Sequence, residues 1–108
     1  NLTDIYAERP LRDHLVYGMS KAALLAGTRA LALELAPEVR VNAIAPGAIL
    51  WPEEGKAEAS KAALLARTPL GRIGTPEEIA EAVRWLLQDA SYTSGQVIRV
   101  DGGRMLDG

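Results

Sequence analysis

Apolar positions in this chain follow two rhythms, one nearly continuous and one periodic. Over 15–36 they are nearly continuous, with Leu24, Leu31 and Leu35 set among many alanines. Alanine and leucine are strong helix formers, so this run predicts a helix over about 15–36, stopped by Pro37. A helix that is apolar over much of its surface is buried on more than one side, against a sheet and against another helix. The next stretch, 39–46 (Val-Arg-Val-Asn-Ala-Ile-Ala-Pro), predicts a short and mostly buried strand. Pro46-Gly47 ends it and opens a loop through Gly55.

A second Ala-rich helix is predicted over about 56–67, followed by the turn-rich Thr68-Pro69-Leu70-Gly71-Arg72-Ile73-Gly74. The periodic rhythm then begins at the clearest helix start in the chain. Thr75 is the expected N-cap, Pro76 fills the first turn where no amide hydrogen is missed, and Glu78 completes a capping box. Ile79, Val83, Leu86 and Leu87 give this helix one apolar stripe, ending near Gln88. Ser94-Gly95 is a predicted turn, 96–100 a strand, and Asp101-Gly102-Gly103 another turn. At the front, 1–3 reads as the tail of a strand and 4–13 as a polar loop containing Pro10. Ser-Lys-Ala-Ala-Leu-Leu-Ala occurs at both 20–26 and 60–66, but Ala57 stands where a true second copy would need a tyrosine. Shared helix-forming composition explains the repeat.

Strand, helix, strand, helix, helix, strand is the alternation of an α/β fold with a parallel sheet. Three parallel strands alone would leave an unpaired edge and apolar helix faces without a partner. The chain is therefore expected to be incomplete on its own and to complete a larger sheet whose first part precedes it. Its opening, Asn1-Leu2-Thr3-Asp4, has no initiator methionine and no basic or hydrophobic leader, which fits a fragment.

Composition narrows the function classes. At 108 residues the chain suits one domain, and 48 % hydrophobic residues predict a buried core rather than disorder. The net charge is −2 with both signs interspersed, so no basic stripe points to nucleic acid and no charged block to a membrane surface. Charged residues interrupt every apolar run before the ~20 residues that a membrane span needs. Cysteine is absent, which excludes disulfides and thiolate metal sites and predicts a reducing, cytoplasmic setting.

Candidate chemistry centres on Tyr17 and Lys21, four residues apart on the first predicted helix, with Asp4 thirteen residues before the tyrosine. Residues i and i+4 share a helix face. A lysine ammonium held near a phenol favours its ionised form, lowering a value that lies near pH ~10 in free tyrosine. That is the tuning a general acid/base needs at neutral pH. The same spacing also arises where an aromatic ring packs on an aliphatic stem with its charge in water. Asp4 reads either as a partner of this pair or as the cap of a turn after a strand.

Four ordered segments carry a family resemblance: Tyr17-Gly-Met-Ser-Lys21, Val39-Arg-Val-Asn-Ala-Ile-Ala-Pro-Gly47, Pro69-Leu-Gly-Arg-Ile-Gly-Thr-Pro-Glu-Glu78 and Ser94-Gly-Gln-Val-Ile-Arg-Val-Asp-Gly-Gly103. Together they resemble the C-terminal half of a short-chain dehydrogenase/reductase, and are most similar to the pteridine reductase branch. The resemblance implies that 1–108 is the C-terminal portion of a Rossmann-like, doubly wound parallel sheet. Its catalytic helix would span about 15–36, and its substrate loop and helix about 48–68. It also implies NADPH-dependent reduction of a dihydrobiopterin- or dihydrofolate-type pteridine, with Tyr17 as proton donor and Lys21 tuning it while holding the nicotinamide ribose.

The family usually has a serine where this chain has Asp4; pteridine reductases are the branch with an aspartate beside the tyrosine. Reducing a pterin C=N sends hydride to carbon and a proton to nitrogen, so an acidic group near the ring nitrogens is useful. Pro46 and Gly47 resemble the family turn beneath the nicotinamide, with backbone groups at Ile49 bonding the carboxamide. Trp51 replaces the family's frequent threonine; it either offers a flat surface to a flat substrate or anchors its own loop. The same resemblance implies a homotetramer assembled partly through the helix bearing Tyr17.

Two other readings stand beside this one: reduction of a ketone or 3-oxoacyl thioester on the same fold, and a truncated, non-catalytic assembly module. Metal or triad roles are not expected, since His14 is the sole histidine and has no evident partner. Glu53-Glu54 reads as a solvated turn, and Asp101-Gly102-Gly103 follows a strand without a helix to supply an anion site.

Overall fold

The computed structural model describes residues 15–47 and 58–106, with side chains over 18–47 and 61–106. Within them lie α1 (Leu15–Glu34), β1 (Ala43–Pro46), α2 (Glu58–Ala66), α3 (Pro76–Gln88) and β2 (Val97–Val100), followed by a 3-10 turn, Arg104–Leu106. The two strands pair in parallel, with Ala43 opposite Val97 and Pro46 opposite Val100. This is the expected α/β alternation; the strand predicted at 1–3 lies outside the described residues.

α3 crosses between the strands and covers one face of the pair. Ile44, Leu86 and Ala90 are buried there, with Ile79, Ala82, Val83, Ile98 and Val100 packed around them. Each large aliphatic side chain buried in such a core contributes about 1.5–3 kcal/mol. Leu87 was expected on the same stripe but is 72 % exposed, because a neighbour of Leu86 on a helix points about 100° away. Strand alternation turns Ala43 and Ala45 to the opposite face, and both are buried as well. α1 turns its own buried stripe inward through Leu25, Thr28 and Ala32. Ala32 lies 3.5 Å from where a Cβ on Gly95 would sit, which seats the C-terminal half of α1 at the entry to β2.

Both ends of α3 are fixed by side chains. At the start, Thr75 Oγ1 accepts from the Glu78 amide at 3.2 Å while Glu78 Oε1 accepts from the Thr75 amide at 3.0 Å, the full capping box that the sequence predicted. At the far end, the Arg40 guanidinium donates to the carbonyls of Ala90 at 2.8 Å, Thr93 at 3.3 Å and Leu87 at 3.4 Å. A cation suits this end, where the helix carbonyls lack partners.

That contact explains why the strand predicted over 39–46 is shorter than expected. Only Ala43–Pro46 is strand. Asn42 donates to the Thr93 carbonyl and accepts from the Gln96 amide through its side chain, while Val41 bonds Ser94 and Gly95. Residues 40–42 spend their hydrogen bonds on the 90–96 turn. For the same reason β2 starts at Val97 rather than at Gln96. The first helix ends at Glu34, two residues before the predicted end, although the Leu35 amide still bonds Leu31 as a fraying last turn does.

Candidate active site

α1 contains both Tyr17 and Lys21, one helical turn apart, and Lys21 is half-buried. The side chain of Tyr17, and Asp4, Ile49 and Trp51 entire, lie outside the described residues, as do His14 and Glu53-Glu54. Two lengths bear on the course of α1. Ala32 sits level with Gly95 at the amino end of the sheet. Eleven helical residues back from Ala32 to Lys21 span about 17 Å. Six extended residues forward from Gly95 to Asp101 span about 20 Å. A helix joining parallel strands runs back along the sheet, so from Ala32 towards Lys21 α1 leads in the direction of the carboxyl ends of β1 and β2.

Those carboxyl ends are Pro46-Gly47 and Val100-Asp101. Open α/β sheets bind ligands at this edge, because the strand ends and the loops beyond them form a crevice there. The Gly47 amide donates to the Val100 carbonyl at 3.0 Å, extending the ladder one residue past β1. A Cβ on Gly47 would stand 2.8 Å from both Cα and Cβ of Asp101. Only glycine allows this approach, so Gly47, just past β1, is pressed against Asp101.

Asp101 is the residue that the sequence reading undervalued. Its Oδ1 accepts from the Gly103 amide at 3.0 Å and its Oδ2 from the Met105 amide at 2.9 Å. Only a three-residue 3-10 turn follows Asp101-Gly102-Gly103, and the Asp101 carboxylate accepts from the amide just before it and from one within it. Aspartate before a glycine pair was the available signal, since aspartates bond amides two residues on.

Next to this edge lies a cleft of about 340 Å³, walled by Leu70, Arg72 and Glu78 on one side and by Arg99 to Gly103 on the other. Arg72 clamps Glu78 with two bonds of 2.8 and 2.9 Å. Hydrogen bonding to Arg72, aided by the amide and hydroxyl of Thr75, holds the Glu78 carboxyl down at about 2, from an ordinary 4.5. A second cleft of about 390 Å³ lies at the other end of α3, lined by Arg40, Val41, Asn42, Ile44 and Leu86 among others. Lys21, Pro46 and Gly47 line neither cleft. Lys21 stands on α1, and Pro46 and Gly47 at the end of β1. Among the described residues there is no cluster of metal-ligating side chains and no helix long and apolar enough to cross a membrane.

A family described as enoyl-(acyl carrier protein) reductase matches residues 1–104. A 3-oxoacyl-(acyl-carrier-protein) reductase of Thermotoga maritima is 45 % identical over 83 % of this chain and 38 % of its own length. A dihydromonapterin reductase of Enterobacter sp. (strain 638) is 41 % identical over 99 % of this chain and 44 % of its own. Among solved structures, 4-hydroxyisoleucine dehydrogenase complexed with NADH superposes with a TM-score of 0.94 and 26 % identity, over all of this chain and 46 % of that one. The chain therefore spans about two-fifths of the length of the curated relatives it matches.

Proposed function

The chain belongs to the short-chain dehydrogenase/reductase family, and from that premise we propose that it is the C-terminal half of an NADPH-dependent pteridine reductase. The observation that carries the proposal is the order Asp4, Tyr17, Lys21, with the last two one turn apart on α1. The likeness to a dihydromonapterin reductase over nearly the whole chain supports it.

The residues present fit the nicotinamide half of the cofactor. Lys21 offers an ammonium, a donor suited to ribose hydroxyls, and Pro46 and Gly47 offer backbone groups at the carboxyl end of β1. When bound, the nicotinamide supplies hydride. Tyr17 gives the accompanying proton to the substrate nitrogen, and Lys21 stabilises the phenolate left behind. Asp4 holds or supplies a proton at the pterin ring, and Ile49 and Trp51 contact carboxamide and substrate respectively. The helix and loop over 48–68 border the substrate. The adenine half of the cofactor falls to the upstream half of the fold, which this chain completes.

α1 also supports assembly into a homotetramer. Met19, Ala23, Ala26, Ala30 and Leu33 recur at alternating steps of four and three, and all five are exposed. Such a stripe suits close packing against the same helix of a second subunit.

The second reading, reduction of a ketone or 3-oxoacyl thioester, is favoured by the likeness to a 3-oxoacyl-(acyl-carrier-protein) reductase. NADPH oxidation by this chain joined to its upstream half separates the two, using dihydrobiopterin, dihydrofolate and a simple 3-oxoacyl thioester in parallel. Turnover of the pterins, and a loss of about 10²–10⁴-fold in Tyr17→Phe with cofactor binding retained, are expected. Asp4→Ser moves preference towards the thioester. Exclusive turnover of the thioester would refute the pteridine assignment, and wild-type rates in Tyr17→Phe would refute the proton donor.

A further inference from the structure

α2 is short and shares little contact with the strands or α3 among the described residues. It has nine residues, fewer than the ~12–15 at which an isolated helix is even marginal in water. Ala62, Ala63 and Ala66 are exposed, Leu64 and Leu65 are only half-buried, and α2 packs broadly against neither β1, β2 nor α3. Its C-terminal turn, by contrast, is locked down. Thr68 is buried, and its hydroxyl donates back to the Leu64 carbonyl at 2.8 Å. The Leu70 amide donates to the Gly102 carbonyl at 3.0 Å.

The surface receiving this turn is the glycine pair after β2. Gly102 and Gly103 have φ of +62° and +86°, and a Cβ on either would run into the turn. On Gly102 it would lie 2.9 Å from Thr68 Cγ2, and on Gly103 3.0 Å from Pro69 Cγ. Thr68 cannot swing clear without giving up its bond to Leu64. Gly103 is held in turn by Asp101, whose carboxylate accepts from its amide and whose Cα and Cβ press on Gly47.

We infer that Gly102 and Gly103 are positioning residues: they form the seat that fixes α2 relative to the carboxyl end of β1 through the contact of Thr68-Pro69-Leu70. The sequence of contacts runs from Gly47 through Asp101 and the glycine pair to Thr68 and the last turn of α2. The orientation of the helix beside the substrate is therefore set from the strand end that also carries the cofactor turn. The seat is a statement about structure; only its effect on substrate rests on the proposed function.

Hydrogen exchange on the joined, full-length protein tests it, comparing wild type with Gly102→Ala, Gly102→Ala/Thr68→Ser and Gly95→Ala. Thr68→Ser removes the colliding methyl and keeps the hydroxyl. Gly95 has φ of +73° but a Cβ there would meet only ordinary contact with Ala32, so it reports backbone strain alone. Amides of α2 are expected to exchange about tenfold faster in Gly102→Ala, with α3 unchanged. Most of that change should disappear in the double variant and be absent in Gly95→Ala. Unchanged α2 exchange in Gly102→Ala, equal acceleration in α3, or failure of Thr68→Ser to restore it would each overturn the seat. With dihydrobiopterin as probe, KM should rise more than kcat falls. Altered exchange with unaltered KM would leave the seat standing and remove α2 from the substrate site.

Discussion

α2 and α3 follow one another in the chain, yet they are held by opposite means. α3 carries its own instructions: a capping box, an Arg72 clamp on the capping glutamate and an apolar stripe. α2 has good helix formers and little else, and takes its position from a turn seated on two glycines. A helix with local signals folds against the sheet as part of the core. One without them can be placed, and displaced, by a single contact at its end. The first suits a scaffold and the second suits a wall of a binding site, where low local stability is useful.

The sharpest break in this comparison comes from the core. Ile44→Ala should lower the unfolding free energy by about 2–4 kcal/mol, measured by urea denaturation, because the cavity opens beneath Leu86 and Ala90. β1, β2 and α3 should lose exchange protection together. Equal loss of protection in α2 would mean that the two regions are one unit. Removing the cap is smaller: Thr75→Ala should cost about 1 kcal/mol, visible as faster exchange of the first-turn amides of α3.

The smallest effect concerns pH. The Glu78 carboxyl is lowered to about 2 in the folded chain from an ordinary 4.5. A depressed carboxyl contributes stability that is fully present above the ordinary value and is lost as pH falls through the folded one. The first turn of α3 should therefore loosen between pH 4.5 and 2, by helical circular dichroism or exchange. The pair is exposed, so added salt should weaken the effect. Glu78→Gln should flatten the profile in that window; an unchanged profile would mean that the Arg72 clamp contributes nothing.

The elements that the chain announced most clearly are those governed by neighbours in sequence. Thr75, Pro76 and Glu78 lie within four residues, so their cap was legible in full, as was the i, i+4 placement of Tyr17 and Lys21 on one helix. The end of the first helix and the exposure of Leu87 were misjudged by small amounts, since terminal turns and stripe edges depend on what packs beside them.

What only the tertiary structure decided were contacts between residues more than thirty apart in the chain. Arg40 and Asn42 looked like strand residues until the 90–96 turn arrived to take their hydrogen bonds. Asp101 looked like part of a bare turn until Gly47 was pressed against it and its carboxylate filled the amides beyond. Gly102 looked like a loop residue until Thr68 came to rest 2.9 Å from its missing methyl. Local hydrogen bonding and periodicity are written in adjacent residues. Close approach between distant backbones is not, because it exists only once the sheet has brought both ends to the same edge.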